Sequence, residues 1–171
     1  VCICRLPERR SIAWPRSSCP RCGKRLAPRD LAPVLSYLAL GGRCRYCREP
    51  ISIQYPIVEL ATGLLFATVV AVHGVSLVSL KYLIFVSLLV VVAGTDINTR
   101  LIPNAVTYPG MAVGFILSLF IPGISFLQSI VGLLVCGGVV YLLAWASKGG
   151  MGGGDIKLMG MMGAFLGWDA G

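Results

Sequence analysis

The chain has 171 residues, 56% of them hydrophobic and only 13% charged, which is too apolar for an ordinary soluble domain of this size. Eleven of its fifteen Lys and Arg lie in residues 1–55, while the remaining 116 residues hold four. That imbalance divides it into a basic segment, residues 1–56, and a membrane domain, residues 57–171; the net charge of +8 reflects basic loops beside membrane spans, not nucleic-acid binding.

The chain opens at Val1 rather than Met, and its last apolar run, Ile156–Trp168, is only 13 residues, short of the roughly 20 a span requires. A fragment of a longer protein is therefore expected. Cys2 and Cys4 come first and have no second pair with which to form a site. The next cysteines are more pointed. Cys19-Pro-Arg-Cys22 and Cys44-Arg-Tyr-Cys47 form two CxxC pairs with 21 residues between them. This spacing lets the thiolates of each pair reach one tetrahedral Zn²⁺, and two pairs complete a Cys₄ set with no open coordination position. The expected metal is zinc, and its role structural. Two disulfides or unmetallated thiols are the alternative, and disulfides are disfavoured if the segment is cytoplasmic.

Four apolar runs follow that are long enough to cross a bilayer: roughly Ile57–His73, Leu77–Thr95, Ala105–Ile121 and Ile124–Ala146, with a fifth beginning at Ile156. Gly, Pro and small polar residues separate them. Lys81, near one end of the second run, is expected to snorkel to the interface. Cys136 reads as a small buried hydrophobe within a span. His73 is the only histidine and has no partner cluster, so it is not read as a ligand.

The connections alternate in charge. Residues 1–56 are strongly basic, 73–76 carry no Lys or Arg, 96–104 carry Arg100, 121–125 carry none, and 147–157 carry Lys148 and Lys157. The positive-inside rule then assigns residues 1–56, 96–104 and 147–157 to the cytoplasm. Asp96 ends a span at that face and Asp155 begins one there, with two spans between them. Acids are scarce in this part of the chain, and a carboxylate at membrane depth is a candidate functional group. Each aspartate has a plainer explanation: Asp155 can cap a helix N-terminus, and Asp96 can be a solvated turn residue. Two carboxylates at one face can also share a proton, the chemistry of an aspartic protease. The run Gly152-Gly153-Gly154 before Asp155 allows close backbone approach, and no phosphate-loop signature follows it.

Taken in order, RLPERRSI, the tetracysteine stretch from Ser18 into Ile57–Leu60, TDINTRLIPN and GGGDIKLM resemble the type IV prepilin leader peptidases, with GGGD fitting the GxGD pattern of membrane aspartic proteases. The resemblance implies an all-α polytopic bundle in the bacterial inner membrane, with further spans on either side of this stretch. It also implies cleavage of prepilin and pseudopilin leaders at the cytoplasmic face, with Asp96 and Asp155 as the catalytic pair. Cys19, Cys22, Cys44 and Cys47 become zinc ligands, and N-methylation of the new terminus with S-adenosylmethionine rests on the resemblance alone. An ion or proton transporter using the same carboxylates is the rival from another class; it leaves the cysteine loop unexplained. A membrane-anchored zinc-ribbon module with incidental aspartates is the third.

Overall fold

In a computed structural model of the chain, the described residues are 2–5, 17–121, 123–147 and 152–168. Most of RLPERRSI, Lys148 and the side chains of Cys2 and Cys4, all of which figure in the sequence reading, lie outside them. The fold is all-helical, as expected: α1 (Cys2–Arg5), α2 (Leu35–Ala39), α3 (Gln54–His73), α4 (Leu77–Thr99), α5 (Asn104–Phe120), α6 (Phe126–Ala146) and α7 (Gly153–Leu166).

Helices α3, α4 and α6, of 20, 23 and 21 residues, are long and apolar enough to cross a membrane. The fourth expected run is shorter. Helix α5 is apolar but only 17 residues long, about 25 Å of rise, because Pro103 stands at its N-cap and the chain turns extended at Ile121, before Pro122.

Local chemistry sets the ends. The α3–α4 turn passes through Gly74 at φ +64°, where a side chain would be strained, and Ser76 caps α4 by accepting from the Ser79 amide at 3.2 Å. His73 stacks on Tyr82 across this turn, with ring centroids 4.7 Å apart, a packing role that suits a histidine without a ligand set. Ser125 and Gln128 form a capping box at the start of α6.

Burial does not sort residues by hydrophobicity as it does in a water-soluble domain. Leu64, Leu134, Leu142 and Trp145 are exposed, whereas Thr95, Thr107, Ser118 and Ser129 are buried. That is the expected partition where the surroundings are hydrocarbon and helices associate through small and polar residues. Lys81 differs from expectation: it is buried (3% exposed), as is Ser79 two residues before it, so the first turns of α4 are enclosed by protein.

An apolar cluster of Phe85, Met161 and Phe165 joins α4 to α7, its phenyl rings 5.0 Å apart. Helix α7 runs parallel to α5 and packs most closely on α6. There the contact is backbone on backbone: a Cβ on Gly163 would meet the Gly132 carbonyl and come within 2.8 Å of the Leu133 amide, and one on Gly132 would lie 2.6 Å from Gly167. Gly163→Ala is therefore expected to force α6 and α7 apart, at a cost near the upper end of the ~1–3 kcal/mol typical of overpacking. Gly138 on α6 has nothing within 4 Å of the same atom, so Gly138→Ala should be neutral or stabilising. Thermal unfolding in detergent compares the two.

Candidate functional site: a two-aspartate end and a four-thiol loop

The first element is the bundle end where α4 finishes and α7 starts. Asp96 does not open a turn. Helix α4 continues past it to Thr99, placing Asp96 in the last turn, exposed, before Arg100 closes the helix in the left-handed region (φ 53°) with its amide on the Asp96 carbonyl at 2.7 Å. Thr95, Asn98 and Thr99 all bond back to carbonyls within α4, so their polar groups are satisfied without leaving the helix. On the neighbouring turn, Ile3 of α1 packs against Gly94 where a Cβ would clash.

Asp155 is the third residue of α7 and half-buried. It is not the cap: Gly152 holds that position, without a side-chain capping bond. A carboxylate in a first helical turn is favoured by the helix dipole. The glycines before it are tight. A Cβ on Gly154 would lie 2.9 Å from Ile102 Cβ, and one on Gly152 would lie 3.4 Å from Asp155 Oδ2.

The short connection from Asp96 to α5 is therefore in contact with the start of α7. Ile102 seats on Gly154, and Lys157 Nζ donates to Asn104 Oδ1 at 2.9 Å while lying 5.4 Å from the Tyr108 ring centroid. Both aspartates thus belong to one end of the bundle, on elements tied by Ile102–Gly154 and Asn104–Lys157. Among the described residues no hydrogen bond joins the two carboxylates. The Asn104–Lys157 tie was not foreseen; both residues sit in the motifs quoted above, yet nothing in their spacing pairs them. One turn into α5, the Thr107 hydroxyl is fully buried and has no hydrogen-bond partner among the described residues.

The second element is the cysteine loop. Its halves repeat the same turn 25 residues apart. Ser18 bridges Arg25, and Arg43 bridges Pro50. The Gly23 amide donates to the Cys19 carbonyl at 2.9 Å, and the Arg48 amide to the Cys44 carbonyl at 3.0 Å. Both donors have positive φ, 68° at Gly23 and 60° at Arg48. Arg48 occupies the position its twin gives to glycine, so Arg48→Gly is expected to stabilise the folded loop by about 1 kcal/mol, measurable as slower proteolysis. Cross-contacts hold the halves together: Arg21 pairs with Glu49 at 3.1 Å, Lys24 lies 5.2 Å from the Tyr46 ring centroid, and Arg45 pairs with Asp30 at 2.7 Å. Its hydrogen bond from Arg45 holds the Asp30 carboxyl below its usual value.

The four sulfurs converge. Cys19, Cys22, Cys44 and Cys47 Sγ all lie within 4.8 Å of one another, with Cys19 and Cys47 at 3.8 Å, and all four are free thiols. Tetrahedral thiolates at about 2.3 Å from a zinc ion stand about 3.8 Å apart, so this set fits the metal. The disulfide alternative is not realised. Amides of Cys47 and Tyr46 pull the Cys44 thiol down to about 7. The Glu49 amide pulls Cys47 the same way, but desolvation and contacts with the other three thiols push it up to about 11. Thiolates this close repel one another, and a cation between them offsets that repulsion. The group can hold one metal ion.

A bundle of membrane-length helices carrying a four-thiol loop is a narrow class, and sequence comparison narrows it further. Residues 1–73 match the model of the bacterial peptidase A24 N-terminal domain, and residues 83–171 match that of the type IV leader peptidase family. The chain belongs to the type IV leader peptidase family. It is 41% identical to a prepilin leader peptidase/N-methyltransferase of Bacillus subtilis (strain 168), over 96% of this chain and 66% of that protein. With the protein of that name from Klebsiella pneumoniae it shares 36% identity over 99% of this chain and 79% of the relative. The Burkholderia pseudomallei (strain K96243) protein is 36% identical, with 96% of this chain matched. The chain spans only 55% of that relative's length. No solved structure matches.

Proposed function

We propose that this chain carries the peptidase core of a membrane aspartic endopeptidase that cleaves the leader of type IV prepilins and related pseudopilins. The observation that carries this reading is the seating of Ile102 on Gly154, beside Asn104 and Lys157, which brings the ends of α4 and α7 together in a chain of this family. Asp96 and Asp155 are its catalytic pair. One, ionised, takes a proton from water; the other, protonated, donates a hydrogen bond to the scissile carbonyl. As the peptide C–N bond breaks, the amine leaves with a proton from the dyad, and the pair returns to a single shared proton. Residues 1–56 form a cytoplasmic segment and residues 57–171 the membrane domain. Cys19, Cys22, Cys44 and Cys47 hold a structural Zn²⁺, which supplies cross-linking of the loop and no reactive position. N-methyltransferase activity is carried over from the relatives; its use of S-adenosylmethionine on the new terminus rests on the family resemblance, and no residue here is assigned to it.

The enzyme is placed in the bacterial inner membrane with the aspartates at the cytoplasmic face. In intact cells, a thiol probe that cannot cross the membrane should label Ser125→Cys, in the α5–α6 connection, and not Ser147→Cys after α6. The reverse pattern would put both aspartates outside and remove the case for cytoplasmic cleavage.

A further inference from the structure

The cysteine loop has a second face that neither metal binding nor peptide cleavage uses. Between the two knuckles, a 3-10 turn (Pro28–Leu31) and helix α2 expose Leu31, Leu35 and Leu38, at 51%, 70% and 68%. Leu35 and Leu38, three residues apart, share one face of α2, and Leu31 closes the 3-10 turn just before it. The opposite side is occupied. Tyr37 packs on Gly42, its hydroxyl 2.9 Å from where a Cβ would stand, and its carbonyl accepts from the Gly42 amide at 2.9 Å. The segment is thus two-faced, with one side on the second knuckle and the other bare.

Its depth is fixed. The Val34 amide, one residue before α2, donates to Glu59 Oε2 of α3 at 2.8 Å. Glu59 lies five residues inside the start of α3 at Gln54, about 7–8 Å along the axis. Helix α3 is 20 residues long and apolar enough to cross a membrane, about 30 Å of rise, which matches the hydrocarbon thickness. The Glu59 side chain leans back toward the helix start. Val34 is therefore held beside the span near the boundary of headgroups and acyl chains, the ~5–10 Å depth at which in-plane amphipathic segments bury their apolar face.

Charge agrees with this depth. Residues 17–53 contain seven Lys and Arg and two acids, Asp30 and Glu49, and both acids are already paired within the loop. Arg29, in the 3-10 turn next to Leu31, is exposed. A cationic surplus around a bare leucine face suits anionic headgroups.

We propose that residues 28–39 are an in-plane lipid anchor. Leu31, Leu35 and Leu38 sink into the acyl boundary of an anionic leaflet beside α3, and the surplus cations meet its headgroups. The metal loop is then held against the bilayer surface instead of projecting into water. The proposal rests on α3 spanning the membrane and not on the peptidase reading.

The test is quenching of tryptophan emission by brominated lipids in vesicles of phosphatidylglycerol and phosphatidylethanolamine. The full chain is reconstituted with Trp14, Trp145 and Trp168 changed to Phe and one new tryptophan added, and helical circular dichroism verifies folding. Leu35→Trp should be blue-shifted and lose most of its emission to bromines high on the acyl chain, and little to bromines near its end. Leu65→Trp, midway along α3, should show the opposite depth preference, and Tyr46→Trp on the second knuckle should be quenched by neither. Red-shifted, unquenched emission from Leu35→Trp overturns the anchor. So does a blue shift without quenching that grows with the protein-to-lipid ratio, because a second copy then covers the leucines. Loss of deep quenching at Leu65→Trp removes the span itself, and the anchor with it.

Discussion

Changing either Asp96 or Asp155 to asparagine is expected to lower prepilin cleavage by on the order of 10²–10⁴-fold, the range for removing a positioned acid or base. Unfolding temperature should barely move. Asparagine keeps the size and much of the hydrogen bonding, and Asp96 is exposed at the end of α4. At Asp155 the substitution removes a favourable charge from the first turn of α7, worth about 0.3–1 kcal/mol at most. Gly152, not Asp155, is the cap residue, so losing the carboxylate removes no capping bond. Cleavage by membranes carrying each variant, scored against the unchanged protein, is the measurement. Full activity in Asp155→Asn would reduce that residue to a charge at a helix start. Full activity in both would end the protease reading and bring the transporter forward.

Metal removal is the second large effect. Purified protein should contain about one zinc per chain. Stripping it, or Cys22→Ser, should loosen residues 17–51 to proteolysis while leaving the helical spans intact by circular dichroism. The loop's other ties are two ion pairs, the Lys24–Tyr46 contact and the Val34–Glu59 bond. Its regular pairing is two isolated bridges, Ser18 with Arg25 and Arg43 with Pro50, and its buried apolar side chains are the ligands Cys19 and Cys44 themselves. Structural zinc sites in comparable small folds have apparent binding free energies of ~10–16 kcal/mol, far above what a few exposed ion pairs supply. Protein without metal, its four thiols freely alkylated, would sink the assignment.

Elements that depend on local chemistry were legible in the sequence. The paired CxxC turns, the helix breaks at Gly74 and Pro103, and the placing of both aspartates at span ends all follow from spacing and breakers. Span ends were less so: α4 runs on through Asp96, where Thr95, Asn98 and Thr99 satisfy their polar groups on the helix itself. The buried faces were not legible. Where the surroundings are apolar, hydrophobicity does not separate inside from outside, and burial of Lys81, Thr107 and Ser129 cannot be read from periodicity. Long-range ties such as Val34–Glu59 and Asn104–Lys157 leave no trace in a single sequence.

The glycine seam between α6 and α7 has a consequence for how Asp155 finds its height. Two backbones in contact set the distance between helices, with only Leu133 near Gly160 and Gln128 near Gly167 as teeth against sliding along the axis. Larger teeth are on the other flank, where Ile102 meets Gly154, Met161 fills the space at Gly110, and Phe165 fills that at Gly114. Helix α5 therefore acts as the ruler for α7. Since α5 is also joined to α4 by only a few residues after Asp96, one helix gauges the vertical offset between the two carboxylates.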